Sequence, residues 1–343
     1  MVSTIDDTKR TAIAMKLADM KAVQNLLISN EEALIKECGD QEICDRLRDM
    51  LEDDHKNMGV LDTVIVQYGV KGEPKHTTTK LIESSRKLME GSELTLFEKV
   101  GQHELLKHQQ TMSGLLIHKA AQIVGADVEA AITPLNTVNF ENRAHQEQLK
   151  GILEILGTRE LTGKDPDQGI WARVQDAVAA FTGVAGSVVT RSKSDMNIQE
   201  LIKMDHTKVN LLFTQFQSTE DPQKLQEYFG QIYKDLSAHS EAEEEVVYPA
   251  VRSYYGKTED LYKEQAEMKQ ALEKIKSISP SSPTFKNEVK QLMDAVMHHV
   301  QQEENEMFAK IRDNFSEQQQ EKMATDFKTA KSKFQDKLAA SKK

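Results

Sequence analysis

Apolar residues return at steps of three and four along most of the chain, the spacing that gathers them on one face of a helix. Ile13, Leu17, Met20, Val23 and Leu27 mark a first helix over Asp6 to Ile28. Leu47, Leu51, His55, Met58, Asp62 and Ile65 mark a second over Ile43 to Tyr68, with His55 on its inner side. Two glycines and a proline make Gly69 to Thr79 a loop, which leaves His76 at the surface. Helices follow over Lys80 to Glu90 and Leu94 to Val124, the latter with Glu104, His108, Leu115, His118 and Gln122 sharing a face. Pro134 opens another toward Leu156, striped by Val138, Asn142, His145, Leu149, Ile152 and Leu156.

Charge, Gly and Pro then make Thr158 to Gly169 a linker. Trp171 to Thr190 is apolar and rich in small residues. Only Arg173 and Arg191 offer it a cationic face, so it reads as a connecting helix packed between two halves, not as a membrane-surface helix. Four more helices are predicted over Ile198 to Gln217, Asp221 to Tyr255, Thr258 to Ser277 and Thr284 to Asp313, separated by loops such as SISPSSPT. The pattern predicts an all-α protein with two helical bundles in tandem: an N-terminal bundle at 1–157, a linker and connecting helix at 158–195, a four-helix bundle at 196–320 and a basic amphipathic tail at 321–343 that docks on the acidic body or frays.

Composition narrows the function. The net charge of -11 argues against nucleic acid as a partner, since phosphate binding calls for a dominant basic surface. Cys38 and Cys44 alone provide neither a disulfide framework nor a cysteine zinc motif, so any metal relies on His and carboxylate. Without a secretory leader or an apolar run long enough to span a bilayer, the expected place is the cytoplasm, with no stable membrane insertion.

The candidate chemistry lies in the C-terminal half. Phe229, Ile232, Leu236, His239, Glu243, Val246 and Ala250 form one stripe, and Val289, Leu292, Val296, His299, Glu303 and Met307 form another. Each carries a His and a Glu four apart on an otherwise apolar face. Burying both groups costs several kcal/mol unless each finds a partner, and a cation satisfies them together. His206, on the stripe of Ile202, Val209, Phe213 and Phe216, completes five candidate ligands. Imidazole nitrogen with carboxylate oxygen suits iron, manganese or zinc, and facing helices with two His and two Glu suit a dinuclear centre. His298, about 100° around the helix from His299, reads as a surface residue or one behind the ligands. In the first half, His55, His108, His118 and His145 are candidates for a second, divergent site with Asp62 or Glu104, although no HxxxE pair accompanies them.

MDH at His206, HSEAEEEVVYP at His239 and HVQQEENEMF at His299 resemble the hemerythrin-like, HHE cation-binding domain over roughly Ile198 to Phe315. The resemblance implies an up-down four-helix bundle with a non-haem diiron centre, His206, His239 and His299 as terminal ligands, Glu243 and Glu303 as bridges, and an open position for oxygen. The first half is only broadly hemerythrin-like or ferritin-like. One departure stands out: where the family's third helix supplies a His, this chain has Gln265 beside Glu264. A neutral amide is a weak iron ligand, so the second ion is expected to bind less tightly, to be completed by water or Glu264, or to be absent. The implied function is engagement of O2, NO or a related oxidant for sensing, scavenging or storage, by a binding protein more than by an enzyme. A diiron oxidase-type enzyme and a metal-free helical interaction protein are the alternatives, and a protein partner or homodimer stays open.

Overall fold

A computed structural model describes residues 8–166, 169–185 and 196–340, without the side chains of 179–185. Asp6, the 186–190 end of the small-residue segment and the last three residues of the tail lie outside the described residues. All regular structure among the described residues is helical.

The first half comprises α1 (Thr8–Glu37), α2 (Gln41–Tyr68), α3 (His76–Glu90), α4 (Leu96–Val124), α5 (Ala126–Ile132), α6 (Leu135–Thr162) and α7 (Ile170–Ala185). Caps fix the starts. The Asp40 carboxylate accepts from Glu42 N and Ile43 N ahead of α2, and Thr95 with Glu98 forms a reciprocal capping box ahead of α4. Helices α1, α2, α4 and α6 pack around apolar clusters that include Leu17, Leu61 and Ile117 at one end and Leu47, Val100 and Ile152 at the other. Helix α1 continues past Ile28 because Asn30 and Glu31 are themselves buried, so the core there is polar and breaks the apolar pattern. His76 is exposed at the first turn of α3, not in a loop. Cys38 and Cys44 are disulfide-bonded across the α1–α2 turn, a single bridge that the sequence reading did not foresee. Ile170 and Val174 of α7 belong to the first-half core, with Trp171 under the Arg46 guanidinium; the described part of this helix thus packs on the first bundle instead of between the halves.

The second half comprises α8 (Ile198–Gln217), α9 (Pro222–Ala242), α10 (Tyr248–Val251), α11 (Thr258–Lys276), α12 (Pro283–Gln302), α13 (Phe308–Asn314) and α14 (Glu317–Ala340). One π turn, Glu243–Val247, joins α9 to α10, and another, Glu303–Met307, joins α12 to α13. Helices α8, α9, α11 and α12 enclose the aromatic cluster of Phe213, Phe229 and Phe285. The basic tail docks: Met323, Ala324, Phe327 and Ala330 of α14 are buried beside α8 and α9.

Polar groups join the halves. Lys208 of α8 donates to the carbonyls of Gln67 (2.7 Å) and Tyr68 (2.9 Å) at the end of α2. Helix α2 stops there at Gly69, whose φ of 77° is left-handed and whose missing side chain leaves room for Asp235, 2.5 Å from where a Cβ would sit.

Candidate metal centre

Both π turns begin on the glutamate of an HxxxE pair, and such turns frequently mark functional positions because they re-aim side chains. The wider turn changes which residues follow Glu243 inward. A regular helix puts Val246 and Ala250 inside; here Val247, Tyr248 and Val251 are buried instead. Tyr248, five residues after Glu243, would stand about 140° away on a regular helix. The π turn brings its hydroxyl to 3.4 Å from Glu243 Oε2 and 2.7 Å from Glu303 Oε1.

Each of the three histidines has a carboxylate behind it. His206 Nδ1 lies 2.8 Å from Glu304, His239 Nδ1 3.0 Å from Asp205, and His299 Nδ1 2.7 Å from Glu264. Donation of Nδ1–H to these carboxylates turns every Nε2 inward, the arrangement that orients imidazole toward a metal. His206 Nε2 faces Glu303 at 3.3 Å, His239 Nε2 faces Glu243 at 3.1 Å, and His299 Nε2 faces Glu303 at 3.3 Å.

The donors fit a cation. His206, His239, Glu243 and Glu303, between 0% and 7% exposed, offer ligand atoms within 4.8 Å of one another. Their buried atoms His206 Nε2, His239 Nε2, Glu243 Oε1 and Glu303 Oε2 have no hydrogen-bond partner, and neither has Gln265 Oε1. Orphaned polar atoms in a sealed interior are costly, and one divalent ion satisfies four of them at once. His299 stands on the other side, its Nε2 3.1 Å from the Tyr248 hydroxyl. Gln265 does occupy the layer of the ligands. Its amide donates to Glu243 Oε2 at 2.7 Å and to the Tyr248 hydroxyl at 2.6 Å.

Charge at the site follows from this packing. Burial opposes protonation of His239 and His299, yet Glu243 and Asp205 hold the first up at about 10, and Glu303 and Glu243 hold the second up at about 9. Burial and the neighbouring charge of Glu303 raise Glu243, whereas His299 and His206 overcome burial to keep Glu303 well below the carboxylate range. Burial and the two glutamates push Tyr248 well above its ordinary value. A cavity of about 20 Å³, lined by His206, His239, Gln265 and His299 with apolar Val209 and Leu236, adjoins the donors.

The first-half histidines do not converge. His55 and His108 are exposed, and His118 is half-buried beside Gln122. The inward face of α4 is instead that of His103, Lys107 and Gly114, one helical step from the stripe of His108 and His118. His145 is buried, but against an ammonium. Lys107 Nζ lies 3.0 Å from His145 Nδ1, 2.5 Å from Asp54 and 3.2 Å from Glu31, and His103 Nε2 lies 3.1 Å from Glu31. A lysine thus fills the centre of the first bundle. Sequence reading also missed Tyr248, Asp205 and Lys331; Asp205 was written in the Asp-His doublet that recurs at Asp54, and both aspartates turn out to be buried partners of a lysine.

Comparison with known proteins places the Hemerythrin HHE cation binding domain at residues 197–311. A protein of Nostoc sp. named DNA nickase is 66% identical over 98% of this chain and 97% of its own length. An uncharacterized hemerythrin-like protein of Schizosaccharomyces pombe is 28% identical over 39% of this chain and 68% of its own length. No solved structure matches. The nickase likeness overturns the expectation that nucleic acid is not a partner: net charge averages over the whole surface and does not exclude a local phosphate contact. No helix among the described residues is long and apolar enough to cross a membrane.

Proposed function

As the chain belongs to the hemerythrin HHE cation-binding family through residues 197–311, and to one family with the Nostoc DNA nickase over nearly its whole length, we propose that it is a cytoplasmic, cation-dependent DNA-nicking protein. In this reading His206, His239, Glu243 and Glu303 hold a non-haem cation, iron in the first place and manganese or zinc as alternatives. The observation that supports it is the buried group of His206, His239, Glu243 and Glu303, whose ligand atoms lie within 4.8 Å of one another and which each keep one buried atom without a hydrogen bond.

A redox-active cation held by these donors would supply electrons to a small oxidant. The chain's own part is selection. The donors are buried, and the cavity of about 20 Å³ beside them has room for one water or one diatomic molecule and not for a nucleotide. Nicking that depends on this cation is therefore expected to need O2 or a related oxidant, not a phosphodiester seated on the metal. The same apolar lining favours a second reading, binding of O2 or NO for sensing, scavenging or storage without DNA chemistry.

Conversion of supercoiled plasmid to open circles separates the readings. Nicking by the metal-loaded wild type in air, lost without oxygen and lost in His239→Ala together with the metal, supports the first. Metal binding with no nicking leaves the second. Undiminished nicking by metal-free His239→Ala overturns the assignment of the chemistry to this centre.

A further inference from the structure

Helix α4 buries one face and leaves an apolar one in solvent. Leu105, Met112, Leu115, Leu116 and Ile123 are between 43% and 80% exposed, all on the side away from buried His103, Lys107 and Gly114. Leu105, Gln109, Met112, Leu116, Lys119 and Ile123, all exposed, step by 4, 3, 4, 3 and 4 residues, which is the spacing of a coiled-coil seam.

The seam is also symmetric about its middle. Counted from Gly114, Leu105 and Ile123 lie nine residues to either side, Gln109 and Lys119 five, and Met112 and Leu116 two. Two copies laid antiparallel across a two-fold axis at the level of Gly114, on the helix face opposite to it, therefore set Leu105 against Ile123 at both ends and Met112 against Leu116 about the axis. The polar residues match as well, with the Gln109 amide oxygen opposite the Lys119 ammonium. A parallel pairing in register sets Lys119 against Lys119, and an antiparallel pairing slipped by one heptad sets Gln109 against Met112. Of these three, the antiparallel arrangement centred at position 114 alone keeps apolar with apolar and polar with polar without setting like charges together.

We propose that a second copy of this chain covers the exposed face of α4, forming a two-fold antiparallel helix pair centred at Gly114. The interface lies on the first half, on the outer side of the bundle whose centre Lys107 fills, and leaves the candidate metal centre untouched.

Sedimentation equilibrium of the full chain at about 100 μM is expected to give a dimer, twice the chain mass of 38.8 kDa. Met112→Glu/Leu116→Glu is expected to give the single-chain mass with unchanged helical circular dichroism and unchanged metal content. Because both native cysteines are paired, single cysteines report geometry cleanly. Leu115→Cys lies about 3 Å along the helix axis from its symmetry mate, and Gln102→Cys about 36 Å. Leu115→Cys is expected to oxidise to a linked dimer and Gln102→Cys to remain single. A monomeric wild type overturns the proposal, as does a dimer that survives the double substitution or links through position 102 as readily as through 115.

Discussion

The Lys331 ammonium of α14 pairs with the buried carboxylate of Asp205, the same group that accepts from His239 Nδ1 at 3.0 Å. A helix that reads in sequence as a detachable basic tail thus reaches a candidate ligand through one intervening residue. Burial alone would raise the Asp205 carboxyl, but Lys331 and His239 hold it well below its ordinary value, so it stays an acceptor that fixes the imidazole.

Lys331→Met is accordingly expected to weaken metal binding by roughly 10-fold, the lower end of what loss of such outer partners costs. Asp205→Asn should weaken it at least as much. Competition with a chromophoric chelator measures both. Lys333→Met is the control, because that side chain is 62% exposed and only 4.0 Å from Glu245; its affinity should equal the wild type's, and an equal loss there would reduce the Lys331 effect to tail charge.

A second expectation concerns stoichiometry. Glu243 and Glu303 each turn one oxygen toward the four-residue donor group, while their other oxygens meet the Gln265 amide and the Tyr248 hydroxyl. An amide N–H and a phenol O–H are donors to carboxylate, so they occupy acceptor positions that a second cation would need. The wild type is expected to hold about one tightly bound ion per chain, and Gln265→His about two. Elemental analysis after desalting checks this. Two tight ions in the wild type would mean that Gln265 and Tyr248 rearrange on loading.

The second half was more legible than the first for a physical reason. The inward stripes of α9 and α12 are apolar except at the ligand layer, so the steps through Phe229, Leu236, His239 and Glu243 traced the inner face correctly up to the π turn. Beyond it the regular period pointed to Val246 and Ala250, and the extra residue in the turn moved Val247 and Tyr248 inward instead. In the first half the core is itself polar at Glu31, Asp54, His103 and Lys107. A stripe drawn through apolar residues and histidines therefore ran along the outer side of α4 and turned His55 inward on α2, where Asp54 is the buried neighbour. Partners far apart in sequence, such as Lys331 and Asp205, carry no local periodic signal at all.

The last expectation concerns pH and rests on that polar core. Burial would raise the Asp54 carboxyl, but Lys107 and His145 hold it well below its ordinary value of 3.8. A depressed carboxyl contributes stability that is present above 3.8 and is lost as pH falls through the folded value. His145 works in the opposite direction. Burial and Lys107 oppose its charge, yet Asp53 and Asp54 raise it above 6.5, so its contribution is full below 6.5 and is lost as pH rises through the folded value. The urea midpoint of the metal-free protein should therefore be highest between these limits and fall on both sides. Lys107→Met removes the ammonium shared by Asp54 and Glu31 and is expected to cost about 3–5 kcal/mol near neutrality, because it leaves buried carboxylates without their cation. Its acid limb should also become shallower. With His145 as the cation left to oppose burial, the Asp54 carboxyl is depressed less, so the variant loses less stability than the wild type as pH falls below 3.8. Parallel acid limbs in the wild type and Lys107→Met would show that this cluster does not set the acid stability of the fold.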